Sequence, residues 1–522
     1  MEYLKRPSRV FEDVLDAFYY LVQFLIIFLF KPTPPRSYQP LTNPRGRIAV
    51  IGAGLTGVSS AAHCIAAGFE VVIFESKDKV GGIWADVNST SGLQLNSLLY
   101  RFHPAVHWKH AFPHRDEILG QIRSVWTEYK LDIRTRFNTK VTSVERVKAV
   151  STSVAEGGHA RWIVNGAEDE IFDAVIATIG TCGAPRKIHF PGSERFTHGQ
   201  VLHSAELDDA ELKDKRVVVI GGGASGVEAV ELAISKGAKD CVIVARDDKW
   251  VIPRNIVFDT MISMQPFGRE MPLSFIPEWV LRTFHYRGVR ELAPRDKGIF
   301  EGTPVVNDEF LGHVRKGRCR YVRGDGKTLT ENGVLIGVKA KAQKKKDEDE
   351  NRSPSPEHKK HAGDTDRDEG EEELAADVVV LATGFERPSV DFLPHDLFPD
   401  DYARPNMYLQ NFSTEDWSVL LTNSSYVSGI GTVGHFHIGI YTRILLTLLM
   451  DRTVRPTPRD MKLWVDNLRF VKKGAKGGAL GFFTYMELTL WLVMFHVLRP
   501  DRLPWMFFIL NGWTFGRSLA RS

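Results

Sequence analysis

Two glycine clusters carry the clearest chemistry in the sequence. Gly52-Ala53-Gly54-Leu55-Thr56-Gly57 and Gly221-Gly222-Gly223-Ala224-Ser225-Gly226 share the G-x-G-x-x-G spacing. That spacing suits a dinucleotide. Its first glycine permits a tight turn, its second lets backbone approach a pyrophosphate, and its third lets helix and strand pack closely. Free N–H groups at the following helix N-terminus attract the phosphates. The two clusters differ in the residue that ends the next strand. After the first it is Glu75, roughly 20 residues on, where a carboxylate accepts ribose hydroxyls and repels a 2′-phosphate. After the second it is Arg246, whose guanidinium can pair with the 2′-phosphate of NADP. Lys249 and Arg254 stand nearby for further phosphate contacts. The first site therefore suits FAD or NAD, and the second suits NADP.

A lone glycine motif is a weak signal, so the flanking elements matter. Arg47–Ile51 (RIAVI) reads as a strand buried on both faces, Val58–Ala67 as a helix stopped at Gly68, and Glu70–Phe74 as the next strand. The second unit repeats this with Arg216–Ile220, Val227–Ser235 and Cys241–Ala245. The expected fold class is α/β, with two Rossmann-like dinucleotide-binding domains, the second inserted in the first. Apolar helical N- and C-terminal segments that associate with membrane complete it. The expected divisions begin with an apolar anchor and linker (1–45) and the first segment of an FAD-binding domain (46–212). An NADPH-binding domain (213–330) interrupts that domain, whose second segment follows (331–450). A C-terminal helical membrane-associating region (451–522) ends the chain.

A chain of 522 residues exceeds one ordinary core. Net charge +3 gives no basic field for nucleic acid. Cys64, Cys182, Cys241 and Cys319 form no CxxC pair and no metal-ligand spacing. Ala17–Phe30 is apolar except for Gln23, and shorter than the roughly 20 residues of a spanning helix, so tilted spanning and monotopic attachment both stay open. Ala479–Leu498, apolar apart from Glu487 and His496, and Trp505–Trp513 give the C-terminus a similar character. The alternative for these runs is burial in a core. Ala342–Leu374 has almost no apolar residues and is expected to be a disordered insertion in a surface turn. Asn88, Asn411 and Asn423 each begin a glycosylation acceptor triplet.

Further motifs resemble the class B flavoprotein monooxygenases, and their flavin-containing branch more than their Baeyer–Villiger branch, over about residues 47–450. Gly81-Gly82-Ile83-Trp84 is similar to the family's flavin-side motif. Leu95-Asn96-Ser97 falls where the family places an Asn touching flavin, nicotinamide and the oxygen site. Phe190-Pro191-Gly192 through His203-Ser204 is similar to the linker fingerprint, with an extra residue at Thr197-His198 and Leu207 in place of Tyr or Trp. Thr303–Phe310 and Asp377–Phe385 resemble two later segments, the second being an ATG strand that returns to the flavin domain.

The resemblance implies FAD contacts at Gly52, Ala53, Gly54, Leu55, Thr56, Gly57, Glu75, Gly82, Ile83, Trp84, Asn96, Thr383 and Gly384, with Asn96 catalytic. It implies NADP contacts at Gly221, Gly223, Ala224, Ser225, Gly226, Arg246, His203 and Ser204. Each has a plainer reading: Trp84 as core packing, Asn96 as a turn cap, His203 as a domain link. The implied activity consumes NADPH, forms a C4a-(hydro)peroxyflavin and transfers one oxygen atom to a small, lipophilic substrate. Heteroatom oxygenation and Baeyer–Villiger insertion both stay open. Dioxygen and membrane lipid are the other expected partners, at the cytosolic face of the endoplasmic reticulum. A flavin reductase or oxidase without oxygen insertion, or a membrane scaffold keeping the fold, are the alternatives.

Overall fold

The structure is a computed structural model. It describes residues 7–147, 158–255, 258–259, 275–299, 304–339, 368–425, 436–472 and 484–513. Helix α1 (Pro7–Phe30) precedes β1 (Arg47–Ile51), α2 (Leu55–Ala66) and β2 (Glu70–Phe74). Then come α3 (Arg115–Glu128), β3 (Thr135–Arg136), β4 (Val144–Arg146), β5 (Trp162–Val164), β6 (Ile171–Phe172), β7 (Ala174–Ala177) and β8 (Gln200–His203). The second glycine unit is β9 (Arg216–Ile220), α4 (Ala224–Ser235) and β10 (Asp240–Ala245). Beyond it lie β11 (Val251–Ile252), α5 (Phe275–Val280), β12 (Val305–Val306), α6 (Phe310–Arg315), β13 (Arg320–Leu329), β14 (Gly333–Lys339), β15 (Asp368–Ala375) and β16 (Val378–Leu381). The chain closes with β17 (Val419–Leu420), α7 (Phe436–Met450), α8 (Pro458–Lys472), α9 (Thr484–Val497) and α10 (Leu503–Asn511).

Two sheets organise these elements. The first runs β17-β7-β1-β2-β3 and is parallel throughout. Its alternate residues feed two cores: Ile48, Val50, Val71 and Ile73 face one, while Ala49, Ile51, Val72 and Phe74 face the other. Such two-sided burial is why these strands read as continuous apolar runs. The second sheet runs β15-β14-β13-β10-β9-β16-β8. The chain leaves the first sheet after β7, builds the second from β8–β10 and β13–β16, with β11 and β12 pairing separately, and returns at β17.

This topology corrects two expectations. Val378–Leu381 does not return to the first sheet. It pairs in parallel with both β9 and β8 in the second. Asp377 fixes that register: its Oδ2 accepts from Arg216 N at 2.8 Å and its Oδ1 from Arg216 NH2 at 2.6 Å. Four buried residues, VVVL, suit this interior position. Within the expected division 331–450 the chain rejoins the first unit beyond β16: Leu393, Leu397, Met407, Tyr408 and Phe412 enter its cores, β17 pairs with β7, and α7 packs on α2. The second correction concerns the acidic insertion. Residues 340–367 lie outside the described residues, but Asp368–Ala375 is a strand antiparallel to β14. Backbone pairing, Leu374 in the core and the Arg320–Glu372 ion pair (2.8 Å) order a segment whose composition alone argues for disorder.

No described helix is long and apolar enough to cross a membrane. The three candidate glycosylation acceptors are buried, and each amide is committed: Asn88 to Ser204 O, Asn411 to Leu409 O and Asn423 to Thr56 Oγ1. The folded chain leaves no room for a glycan at any of them.

Candidate functional site

A cleft of about 1580 Å³ touches both glycine units. From the first it takes Gly52, Gly54, Leu55, Thr56 and Glu75; from the second, Ala224, Ser225, Glu228 and Lys249. Backbone geometry explains the glycines. Gly52 has φ +106°, a conformation rare for L side chains. A Cβ on Gly57 would stand 1.9 Å from Gly52 O, and one on Gly226 would stand 1.8 Å from Gly221 O. Helices α2 and α4 begin at Gly54 and Gly223 with no side chain capping them. Their first N–H groups lack the usual side-chain acceptor, which is the arrangement an anion completes. The residues present therefore fit a phosphate-bearing cofactor at each loop.

The first loop is braced from several directions. Glu75 is buried; its Oε2 accepts from Ala53 N (2.7 Å) and its Oε1 from Lys77 N (2.9 Å). Gly81 N donates to Ala53 O (3.0 Å), which brings Gly82, Ile83 and Trp84 to the cleft wall. Ala53 and Gly57 lie beneath the surface of the cleft rather than on it. Two contributors escaped the sequence reading. Thr178, after β7, donates from Oγ1 to Ile51 O (2.9 Å) and lies 3.1 Å from Gly52 O. Asn423, at φ +57°, donates to Thr56 Oγ1 (2.9 Å). Ala177-Thr178-Ile179-Gly180 carries a signal: it resembles Ala382-Thr383-Gly384.

That likeness explains a displaced assignment. Thr383 and Gly384, expected at flavin, follow β16 behind the second loop, where a Cβ on Gly221 would meet Ala382 O at 2.6 Å. Thr383 Oγ1 donates to Arg186 O (2.5 Å), and neither residue lines the cleft, although Phe385 does. His203 is a link. Its Nδ1 accepts from Ala205 N (3.1 Å), so its proton sits on Nε2 and is donated to Gly384 O (3.0 Å). Burial lowers its pKa, consistent with a neutral ring. Ser204 is buried beside it, and Ala205 and Glu206 reach the cleft instead. Gly221, Gly223 and Gly226 shape the second loop without lining the cleft. Arg246 is exposed, 3.5 Å from Asp325 Oδ1, and also stands off the cleft wall.

Asn96 stands on a segment strapped across both units. Its side chain is buried, with Oδ1 accepting from Leu98 N (3.0 Å), so it caps a turn; Gln94 and Leu95 line the cleft beside it. Carboxylates of the second unit hold this strap at three points. Asp208 accepts from Ser89 N and Oγ (both 2.8 Å), Glu228 from Ser91 Oγ (2.9 Å), and Asp259 from Asn96 N (2.7 Å). Burial pushes Glu228 up to about 7, with Glu231 adding to the rise and Ser91 and Arg254 opposing it. Burial likewise pushes Asp259 up to about 6. Among the described residues no cluster of His, Cys, Asp or Glu is arranged to hold a metal ion.

Comparison with known proteins agrees with this architecture. The chain is 27% identical to human flavin-containing monooxygenase 5 over 322 residues, covering 55% of this chain and 58% of that protein. It is 29% identical over 327 residues to chimpanzee dimethylaniline monooxygenase [N-oxide-forming] 2, with the same coverage. The chain thus spans somewhat over half the length of these relatives. Its fold is similar to the open crystal structure of cyclohexanone monooxygenase (TM-score 0.61, 16% identity, 85% of this chain and 97% of that one). It is also similar to oxidized steroid monooxygenase bound to NADP (TM-score 0.55, 17% identity, 82% and 98%). Residues 45–344, more than half of the chain, match the model of the family described as Flavin-binding monooxygenase-like, and the chain belongs to that family.

Proposed function

We propose that this chain is a flavin-dependent, NADPH-consuming monooxygenase, with FAD at Gly52–Gly57 and NADPH at Gly221–Gly226. The two glycine units are read as Rossmann-like domains, the second inserted in the first. One observation carries this reading: a single cleft touches the uncapped N-termini of α2 and α4. Two dinucleotides held there share one space, as hydride transfer between them requires. Bound FAD supplies the redox chemistry, accepting hydride from NADPH and activating dioxygen once reduced.

The chain's own residues bind and orient. Glu75, held against its loop by Ala53 N, takes the ribose hydroxyls on its remaining acceptor sites. Lys249 at the cleft wall and the exposed Arg246 that follows β10 receive the 2′-phosphate. Trp84 and Ile83 present apolar surface that excludes water from the reacting region. Asn96, through its turn and its tie to Asp259, fixes the strap that covers the cofactors. The substrate is small and lipophilic, and heteroatom oxygenation and Baeyer–Villiger insertion are both compatible with the site. Membrane lipid, at the cytosolic face of the endoplasmic reticulum, belongs to the same reading.

Coupling is the test. Asn96→Ala is expected to retain flavin but to release several-fold more hydrogen peroxide per NADPH consumed. Unchanged coupling would remove Asn96 from the site. Wild-type protein that consumes NADPH yet converts all the oxygen to peroxide with every amine, sulfide and ketone offered would favour an oxidase.

A further inference from the structure

Three polar residues that interrupt the apolar runs at the two ends of the chain, Gln23, Glu487 and His496, are buried. Gln23 is fully buried: Oε1 accepts from Trp108 N (2.8 Å) and Nε2 donates to Trp108 O (2.9 Å). Glu487 accepts from Gln410 Nε2 (2.7 Å) and Trp464 Nε1 (3.2 Å). His496 is buried with Nδ1 3.2 Å from Arg502 O. Other, apolar side chains face outward, although on α9 and α10 Trp491, Phe495, Trp505 and Phe508 are in the core. On α1, Phe18, Phe24 and Phe28 are 62%, 61% and 74% exposed. On α9, Val493 and Val497 are exposed, and on α10, Leu503, Phe507 and Leu510 are. A helix on a water-soluble surface has the opposite polarity.

The two ends also meet. Trp513 stacks on Phe30, with ring centroids 6.3 Å apart, and donates from Nε1 to Leu29 O (3.0 Å). α10 packs against α9 and α7. Inverted helices at the two ends of the chain are thereby joined into one surface.

We propose that α1, together with the outward faces of α9 and α10, is a docking surface for an anionic lipid bilayer and lies in the plane of that bilayer. This refines the lipid partner named above and does not depend on the redox chemistry. Acyl chains offer no hydrogen-bond partner, so polar groups must turn inward, as Gln23, Glu487 and His496 do. A second protein copy would ordinarily supply about one hydrogen bond per 100–200 Å² of contact. From Ala17 to Phe30 the outer face of α1 has one polar group, the Tyr20 hydroxyl, and that group is bonded to Lys109 O. The linker leaving α1, residues 31–46, has no acid and exposes Arg36 and Arg45, which complements anionic headgroups; its Lys31 pairs with Glu128 (2.5 Å). An in-plane position follows from length and apolarity, since no described helix suffices to cross. Helix α1 precedes residues 45–344, which match the family.

The test is flotation of the full-length protein, tagged at both ends, with phosphatidylcholine vesicles with and without roughly 30% phosphatidylserine. The protein is expected to float with both and more completely with the anionic vesicles. Phe24→Ser/Phe28→Ser is expected to float about tenfold less, with its circular dichroism and flavin content equal to wild type. Protease added outside sealed vesicles is expected to remove both tags. Equal flotation of the double variant, or one protected tag, would overturn the proposal. So would wild type that stays off the vesicles as a dimer which the double variant abolishes. A colourless protein that still floats would count against the redox reading and leave this surface standing.

Discussion

The two glycine units share one plan and finish it differently. In each, an aspartate after the central crossover fixes the first strand: Asp173 Oδ2 accepts from Arg47 N, and Asp377 Oδ2 from Arg216 N, both at 2.8 Å. In each, an Ala-Thr segment backs the loop, Thr178 behind Gly52 and Ala382 behind Gly221. They differ at the residue that follows the second strand of each unit. Glu75 is buried and bonded to its own loop, whereas the Arg246 side chain is 73% exposed and loosely paired. On the proposed reading, the first site is pre-organised for its ligand and the second selects through an exposed surface cation. The proposed reading then expects tight retention of one cofactor and exchange of the other.

Substituting the third glycine should break the comparison most sharply. Gly57→Ala places a methyl group 1.9 Å from Gly52 O and is expected to lose bound flavin by roughly a hundredfold in affinity, as severe overpacking costs a few kcal/mol. Gly226→Ala has the same clash at 1.8 Å but should keep flavin and lose NADPH, by flavin absorbance and NADPH titration. Glu75→Ala comes next. It unpairs a buried amide, and an expected cost of roughly 1–3 kcal/mol should lower flavin affinity about tenfold or more. Arg246→Ala is milder, because the side chain is exposed; KM for NADPH should rise roughly fivefold while that for NADH stays level. If NADH were affected equally, Arg246 would not read the 2′-phosphate.

The smallest effect concerns the strap between the units. Burial raises Glu228 to about 7 from an ordinary 4.5. Folding therefore favours its neutral form. That contribution is complete below the ordinary carboxyl range and is lost as pH rises through about 7, with Asp259 adding a loss through about 6. The melting temperature should fall by a few degrees between about pH 5 and about pH 8, and Glu228→Gln should flatten that fall. An unchanged slope in the variant would exclude Glu228 as its source.

Local pattern made the glycine units legible. β1 and β2 lie where the apolar runs place them. Helix α2 starts at Leu55 rather than at Val58, because the helix begins inside the glycine loop, where Thr56 and Gly57 have low helix propensity. Long-range pairing was not legible. The strands Ala174–Ala177 and Val378–Leu381 are both short apolar runs after an aspartate, so composition cannot say which sheet takes which. The backbone ladders and the Arg47–Asp173 and Arg216–Asp377 contacts decide it. The strap was hidden for the same reason: Ser89, Ser91 and Asn96 meet carboxylates more than a hundred residues away. The family resemblance reached Asn96 itself but not the acids that hold it.

The most direct test of two cofactor sites in one cleft is an anaerobic titration of the purified full-length protein, followed by visible absorbance. The expected result is a yellow protein that holds one flavin per chain through gel filtration and bleaches with one equivalent of NADPH, faster than with NADH. A colourless protein that takes up no added FAD, or a flavin that NADPH leaves oxidised, would contradict it.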